Sequence, residues 1–409
     1  MRGEIAMAGV FAGKKIVVGV TGSIAAFKVA GWVSELSKQE AQVSVILTEA
    51  AKKFVAPLTF ASLSGNKVYQ DMFAESEDEV MAHIDLGRDA DVILIAPATA
   101  NTIAKLAYGL ADNLLSATVL ASRARIVVCP AMNPRMYSHP LTQQNITRLK
   151  ELGYLVINPA AGLMACKEVG DGRLVEWSEV VDIVGKCVCK QDLAGKTVLV
   201  TAGPTREPVD PARYLSNRSS GKMGYALART CYRRGAEVIF ITGPSALPLP
   251  AGGQCIPVQT AEEMYDAVLA NSAAADIIIK AAAVADYRPA VCARHKEKKE
   301  NIGSELTLVR NPDILKELGR RKRAGQILVG FAAESQNYGE EGQRKLREKN
   351  LDLIAVNDIG GENTGFAVDT NQLLLITSER QEMLPLTSKD HVAELLVDRI
   401  IGLMTKASE

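Results

Sequence analysis

The stretch Lys15–Val20 (KIVVGV), which runs into Thr21-Gly22-Ser23 and then into Ile24–Leu36 with apolar residues at helical spacing, decides the fold. A β-branched apolar run, a tight glycine turn and an amphipathic segment read as strand, loop and helix. One half-chain later Lys196–Val200 (KTVLV) runs into Thr201-Ala-Gly-Pro-Thr205 and repeats that opening. Outward from these two units, further strand-like runs stand at Gln42–Leu47, Val92–Ile95, Ile126–Val128 and Leu155–Ile157. The second half adds Glu237–Ile241, Ile277–Ile279, Ile327–Val329, Leu353–Val356 and Leu373–Ile376, again separated by helical stretches. Such alternation predicts an α/β chain of two Rossmann-like, three-layer domains with mostly parallel sheets. Length agrees, because 409 residues exceed the roughly 250–300 at which a single core stops growing. Trp177 opens a helix carrying Val180, Val181, Val184 and Val188, with Ser178 as its expected N-cap, so the expected domains are residues 1–190 and 191–409.

Composition narrows the function classes. Lys plus Arg equals Asp plus Glu at 47 each, so no global basic field favours nucleic acid or an anionic membrane. Seven cysteines without CxxC pairs and four histidines without HExxH spacing predict reduced thiols and no structural metal. No run approaches the ~20 apolar residues of a membrane span, and Met1–Ala12 lacks signal-peptide features, so a cytoplasmic protein is expected. Cys187 and Cys189, one residue apart, have weak metal geometry and read as incidental; Arg294–Glu300 (RHKEKKE) reads by itself as a solvated loop.

Gly22-Ser23-Ile24 at a strand's end places backbone N–H groups at a helix N-terminus, where phosphates bind. The full G-x-G-x-x-G fingerprint is missing, and Thr48 stands where an acidic residue would close the second strand, so a mononucleotide fits better than NAD. Two longer motifs follow strands: Ala96–Leu115 (APATANTIAKLAYGLADNLL) and Pro130–Tyr137 (PAMNPRMY). With GSIAAFK at Gly22–Lys28, His83 in AHIDLGRDAD and Cys166 in GLMACKEVGDGR, they closely resemble the flavoprotein cysteine decarboxylases, phosphopantothenoylcysteine decarboxylase among them, over nearly all of residues 14–185.

That resemblance implies FMN, contacted by Gly22, Ser23, Ile24, Thr48, Thr99, Ala100, Asn101, Thr102 and Ala131. It implies His83 as the base near the substrate thiol, Asn133 as the holder of the substrate carboxylate, and Cys166 as the acid of the final reduction. The chemistry explains the need: a cysteinyl carboxylate cannot leave until oxidation of CH2–SH to a thioaldehyde gives its electrons somewhere to go. Gly162, Gly170 and Gly172 flank Cys166, as a clamp closing on substrate would require. Tyr137 stands where the family motif ends in Trp; either ring can form a planar wall.

In the second half, Thr201–Gly224 combines small residues and hydroxyls with Arg213, Arg218 and Lys222, a composition suited to phosphates, but it holds no GxxxxGK[ST] loop. Together with Ala281–Pro289 (AAAVADYRP), Lys296–Lys299 (KEKK), Asn311–Leu315, Gly330–Glu334 and Lys345–Asp358, it resembles phosphopantothenate–cysteine ligase over about residues 192–403. The two domains in this order are similar to the bacterial bifunctional coenzyme A biosynthesis proteins, which implies CTP as the nucleotide. The resemblance puts Lys296 at the triphosphate and makes Asp286, Pro312, Asp313, Ile314, Leu315, Phe331, Lys345 and Lys349 the other CTP contacts. Lys345 and Lys349 would share one helix face. Asn217 is implied at the acyl-cytidylate, with Mg2+ held mostly by phosphates and water. The implied substrates are phosphopantothenate, cysteine and CTP, and the implied assembly is a homo-oligomer, trimers and dimers combining into a dodecamer. Two other readings stand beside this: a regulatory flavin-fold binding protein without turnover, and an NAD oxidoreductase.

Overall fold

The computed structural model describes residues 9–73, 81–164, 167–296, 305–334, 337–358 and 368–406. The chain divides between Cys189 and Lys190 into two compact units.

The first unit runs β1 (Lys15–Val20), α1 (Ala26–Lys38), β2 (Gln42–Leu47), α2 (Pro57–Ser64), β3 (Val68–Tyr69), α3 (Ala82–Asp89), β4 (Val92–Ala98), α4 (Ala100–Tyr108), α5 (Leu114–Ala121), β5 (Arg125–Pro130), α6 (Pro134–Ser138), α7 (Pro140–Glu151), β6 (Leu155–Val156), β7 (Ala160–Leu163), β8 (Val169–Arg173) and α8 (Trp177–Val188). Six strands form one parallel sheet in the order β3-β2-β1-β4-β5-β6. The strand order reverses between β1 and β4, which opens a crevice at their C-terminal ends. β4 is buried at all seven positions because helices cover both faces of the sheet. One face packs Val18, Val29, Val33, Leu94 and Val184; the other packs Val17, Ile93, Ile103 and Leu115. Trp32 and Trp177, the chain's two tryptophans, stack here with ring centroids 5.5 Å apart.

The second unit runs β9 (Thr197–Ala202), β10 (Arg206–Asp210), β11 (Arg213–Ser216), α9 (Lys222–Arg233), β12 (Glu237–Thr242), β13 (Gln254–Pro257), α10 (Ala261–Ser272), β14 (Ile277–Lys280), β15 (Tyr287–Pro289), β16 (Leu308–Arg310), α11 (Ile314–Arg321), β17 (Ile327–Glu334), α12 (Tyr338–Glu348), β18 (Leu353–Asp358), β19 (Thr370–Asn371), β20 (Leu373–Ile376), β21 (Gln381–Met383), β22 (Thr387–Ser388) and α13 (Lys389–Lys406). Its main sheet has the order β13-β12-β9-β14-β17-β18-β20-β21. The six strands from β13 to β18 are parallel, while β20 and β21 add antiparallel at the edge. The switch point lies between β9 and β14, the counterpart of that between β1 and β4.

An aspartate immediately before a central strand locks each sheet. Asp91 donates its N–H to the Lys15 carbonyl at 2.8 Å and accepts the Lys15 N–H on Oδ2 at 2.8 Å. Asp276 does the same with Thr197, at 2.8 and 2.9 Å, and Asp352 with Leu328, at 3.0 and 2.6 Å. Each pair closes a ring that admits only one register between neighbouring strands.

One boundary differs from expectation. Glu176, not Ser178, caps α8, and its N–H donates to Glu179 at 3.4 Å. Lys28 and Arg173 each hold the Glu176 carboxylate at 2.8 Å, which fixes the residue ahead of Trp177 and leaves Ser178 inside the first turn. Among the described residues no helix is long and apolar enough to cross a membrane, and no cluster of ligating side chains could hold a metal.

Because both tryptophans lie in the first unit, their fluorescence follows its unfolding. Asp91→Ala should lower the urea midpoint of that transition, with a loss of about 1–2 kcal/mol, and Asp91→Asn, which keeps an acceptor oxygen, should lose less. Equal losses would show that the Asp91 side-chain oxygen does not set the register.

Candidate active sites

In the first unit the crevice is built on Thr21. This buried hydroxyl donates to the Pro97 carbonyl at 2.6 Å and accepts the Thr99 N–H at 3.1 Å, so it ties the loop after β1 to the loop after β4. Thr99 then caps α4 by accepting the Thr102 N–H at 3.3 Å. Gly22 has no room for a side chain, since a Cβ would fall 2.4 Å from that of Ala50, beside Thr48. Neither α1 nor α4 carries an acidic residue in its first turn. Two helix N-termini without carboxylates, next to a backbone that only glycine allows, form a cradle suited to a flavin's phosphate. Gly22, Ser23, Ile24, Thr99, Ala100, Asn101 and Thr102 lie on these two loops and first turns. Ala131, buried, donates its N–H to Ala98 at 3.0 Å and closes the side toward β5.

Asn133 caps α6: Oδ1 accepts the Arg135 N–H at 2.9 Å, and Nδ2 donates to Glu168 Oε2 at 2.7 Å. Glu168 escaped the sequence reading, where it is one more charge in a glycine-rich stretch. His83 is the second residue of α3, and its buried Nδ1 has no hydrogen-bond partner. Among the described residues no hydrogen bond joins His83 to Asn133. Cys166 lies outside the described residues.

In the second unit a cleft of about 760 Å³ opens over the C-terminal ends of β14, β17 and β18. Its lining includes Asn217, Asp286, Pro312, Asp313, Ile314, Leu315, Phe331, Lys345 and Lys349, all expected from sequence. Lys222, Lys280 and Lys389 line it as well, so five lysines and Arg310 face two carboxylates. Asn217 donates Nδ2 to the Ala283 and Val284 carbonyls at 3.1 and 3.3 Å, pinning the loop that leads to Asp286. α9 starts at Gly221, whose positive φ (+81°) suits glycine, and no acidic residue occupies its first turn. The charged residues are interlocked. Burial alone would raise the Asp313 carboxyl, yet Lys349 at 2.9 Å, the Lys316 N–H and Lys280 hold it below the usual carboxylate range. Burial, then Lys349, push the Lys280 ammonium down to about 8 against the pull of Asp313 and Asp286, and its Nζ donates to the Ala282 carbonyl at 3.2 Å. Lys389 is lowered by burial and then by Lys222; its Nζ donates to Val368 at 2.6 Å. Lys222 pairs with Asp369 at 2.6 Å.

Two of the cations picked out in the sequence stand outside the lining of the cleft. Arg213 spends its guanidinium on the buried Asp210 within the β10–β11 hairpin, and it does not line the cleft. Lys296 is exposed and is not among the lining residues; the rest of its KEKK stretch lies outside the described residues. Lys280 and Lys389 were missed, although each left a trace. Lys280 ends an apolar strand at a switch point, and Lys389 opens α13, where the helix dipole disfavours a cation.

The flavoprotein family matches residues 9–188, and the DNA/pantothenate metabolism flavoprotein C-terminal domain matches residues 193–404. The coenzyme A biosynthesis bifunctional protein CoaBC of Bacillus subtilis (strain 168) is 45% identical over 401 residues, spanning 97% of this chain and 98% of its own length. The protein of the same name from Escherichia coli (strain K12) is 43% identical over 394 residues, 95% of this chain and 97% of its own. Among solved structures, the C-terminal domain of a CoaBC protein is 39% identical and covers 53% of this chain and all of its own, with a TM-score of 0.46. A PPC decarboxylase mutant complexed with pantothenoylaminoethenethiol is 30% identical over 42% of this chain and 96% of its own, with a TM-score of 0.39. The chain belongs to the family of bifunctional coenzyme A biosynthesis proteins.

The Lys280 ammonium is charged below about pH 8 and neutral above it. Affinity of the cleft for inorganic triphosphate should therefore fall as the pH rises through 8, by roughly tenfold for the loss of one charged contact. Lys280→Met should bind inorganic triphosphate more weakly at pH 7 and lose this pH dependence, as titration calorimetry at pH 7 and 9 would register. An unchanged profile in the variant would assign the effect to another group.

Proposed function

We propose that this chain catalyses two successive steps of coenzyme A biosynthesis. Residues 191–409 couple 4'-phosphopantothenate to L-cysteine with CTP, through an acyl-cytidylate and with release of pyrophosphate and CMP; residues 1–190 then decarboxylate 4'-phosphopantothenoylcysteine to 4'-phosphopantetheine. The observation that carries this reading is the end-to-end match to bifunctional relatives, together with a distinct anion-receptive site in each unit.

Ligation brings a carboxylate against a triphosphate, and the lysines of the cleft meet that charge. Lys345, Lys349 and Lys280 stand on the side of α11 and α12, Lys222 and Lys389 on the side of α9 and α13. Cations already in place stabilise charge that develops in the transition state without reorganising. Asp286, Phe331 and Pro312–Leu315 hold the nucleoside, Lys296 reaches the triphosphate from its exposed segment, and Mg2+ is carried by phosphates and water. Asn217 steadies the Ala283–Val284 carbonyls beside the acyl-cytidylate; an Asp there would set a carboxylate against two carbonyl oxygens.

In the first unit the Thr21–Thr99 clamp, Gly22 and the first turns of α1 and α4 hold FMN by its phosphate. When bound, the flavin supplies the redox step that turns the substrate thiol carbon into an electron sink. His83 takes the thiol proton, Asn133 binds the carboxylate through its amide, and Cys166 donates the proton that completes the product. The proposed assembly joins trimers of the first unit and dimers of the second.

Incubation with phosphopantothenate, cysteine, CTP and Mg2+ should yield CMP, pyrophosphate, CO2 and phosphopantetheine, identified by mass; purified protein that is colourless and releases no CO2 from phosphopantothenoylcysteine would overturn the decarboxylase half. Asn217→Asp should impair conversion of the acyl-cytidylate more than its formation, and Cys166→Ser should still release CO2 but accumulate the unreduced enethiol.

A further inference from the structure

We infer that Glu168 is the internal occupant of the carboxylate subsite at Asn133, and that the substrate's carboxylate enters by displacing it. The inference rests on the assignment of Asn133 to the substrate carboxylate.

The geometry begins with the orientation of the amide. Asn133 Oδ1 accepts the Arg135 N–H at 2.9 Å, so the amide cannot be reversed, and its NH2 group is the end presented to an acceptor. That acceptor is Glu168 Oε2, at 2.7 Å. An amide N–H on a carboxylate is the contact a substrate carboxylate would make, with the length of a charge-assisted bond. Backbone packing places Glu168 there. Met132 donates its N–H to Gly172 at 3.0 Å, and a Cβ at Gly172 would lie 2.3 Å from the Met132 carbonyl. A Cβ on Gly170 would lie 3.0 Å from Pro134. β8 thus lies tight against residues 132–134, and Glu168, just ahead of it, is delivered to Asn133.

An acidic side chain beside a subsite for an acidic substrate is unfavourable if both remain, because two carboxylates on one donor repel. The structure offers Glu168 another partner: its second oxygen lies 3.9 Å from Arg135 Nε, on a guanidinium 88% exposed. Glu168 therefore has a cationic neighbour to turn to when a ligand carboxylate takes the amide. The consequence is selective. Before decarboxylation the ligand carries the group that competes with Glu168; afterwards it does not, and Glu168 regains Asn133. The residue lowers affinity for the carboxylated ligand alone and acts through Asn133, as a positioning and specificity residue.

The test uses the full-length holoenzyme and two dead-end competitors with a hydroxyl in place of the thiol: N-(4'-phosphopantothenoyl)serine, which keeps the carboxylate, and its ethanolamine counterpart, which lacks it. Glu168→Ala should lower the inhibition constant of the serine compound about tenfold and leave that of the ethanolamine compound unchanged, with Glu168→Gln in between. If Glu168 merely braces Asn133, both variants will weaken the serine compound, which overturns the inference. Asn133→Ala tests the underlying assignment separately. A variant that no longer distinguishes the two compounds supports Asn133 as the carboxylate holder; one that distinguishes them as before shows that this assignment, and the inference with it, has failed.

Discussion

Two hydrogen bonds between an aspartate and the residue that starts the neighbouring strand hold each sheet in register, and both active sites depend on that register. Asp91 and Lys15 fix β4 against β1; Asp276 and Thr197 fix β14 against β9. These rings sit at the N-terminal edge, the sites at the opposite one. A slip of one residue in a strand would turn every side chain to the other face. At β4 it would part Pro97 and Thr99 from the Thr21 hydroxyl, and at β14 it would turn Lys280 away from Asp313 and Lys349. The sites therefore inherit their geometry from carboxylates at the far end of the sheet, which touch neither of them.

The central strands were legible because burial on both faces requires uninterrupted apolar runs, and Lys15–Val20, Val92–Ile95 and Ile277–Ile279 have no other reading. The hairpins β7–β8, β10–β11 and β15–β16 were not, since short exposed strands with glycine, proline and charge look like loops until their partner is known. The cap of α8 was misplaced for a related reason: Glu176 is held by Lys28, which lies 148 residues earlier in sequence. In the ligase cleft the motif residues Asp313, Lys345 and Lys349 were legible by resemblance, and their mutual pairing was not. Lys389, despite its odd place at a helix start, could not be tied to the switch point by anything local, and Glu168 was hidden because its partner Asn133 stands 35 residues away.

The two sites meet negative charge by different means. The cradle of the first unit offers helix termini, a missing side chain and neutral hydroxyls, which would suit a group that stays bound and need not be released. The cleft of the second unit presents ammonium groups, two of them paired with Asp313 and Asp369. Under the proposed ligation those carboxylates would give up their partners to a triphosphate and reclaim them once the anionic products leave. On the proposed assignment, permanent dipoles would serve the cofactor and exchangeable ions the consumable.

The depressed ammonium of Lys280 also carries a chemical hazard. A lysine that begins to lose its proton at mildly alkaline pH becomes a nucleophile, and this one borders the cleft where a mixed anhydride would be generated. A polyphosphate bound beside it would draw a proton onto that nitrogen and so keep it from attacking an activated acyl group. The order in which anions depart then matters: losing pyrophosphate before the cysteine amine arrives would leave the enzyme exposed to acylating itself.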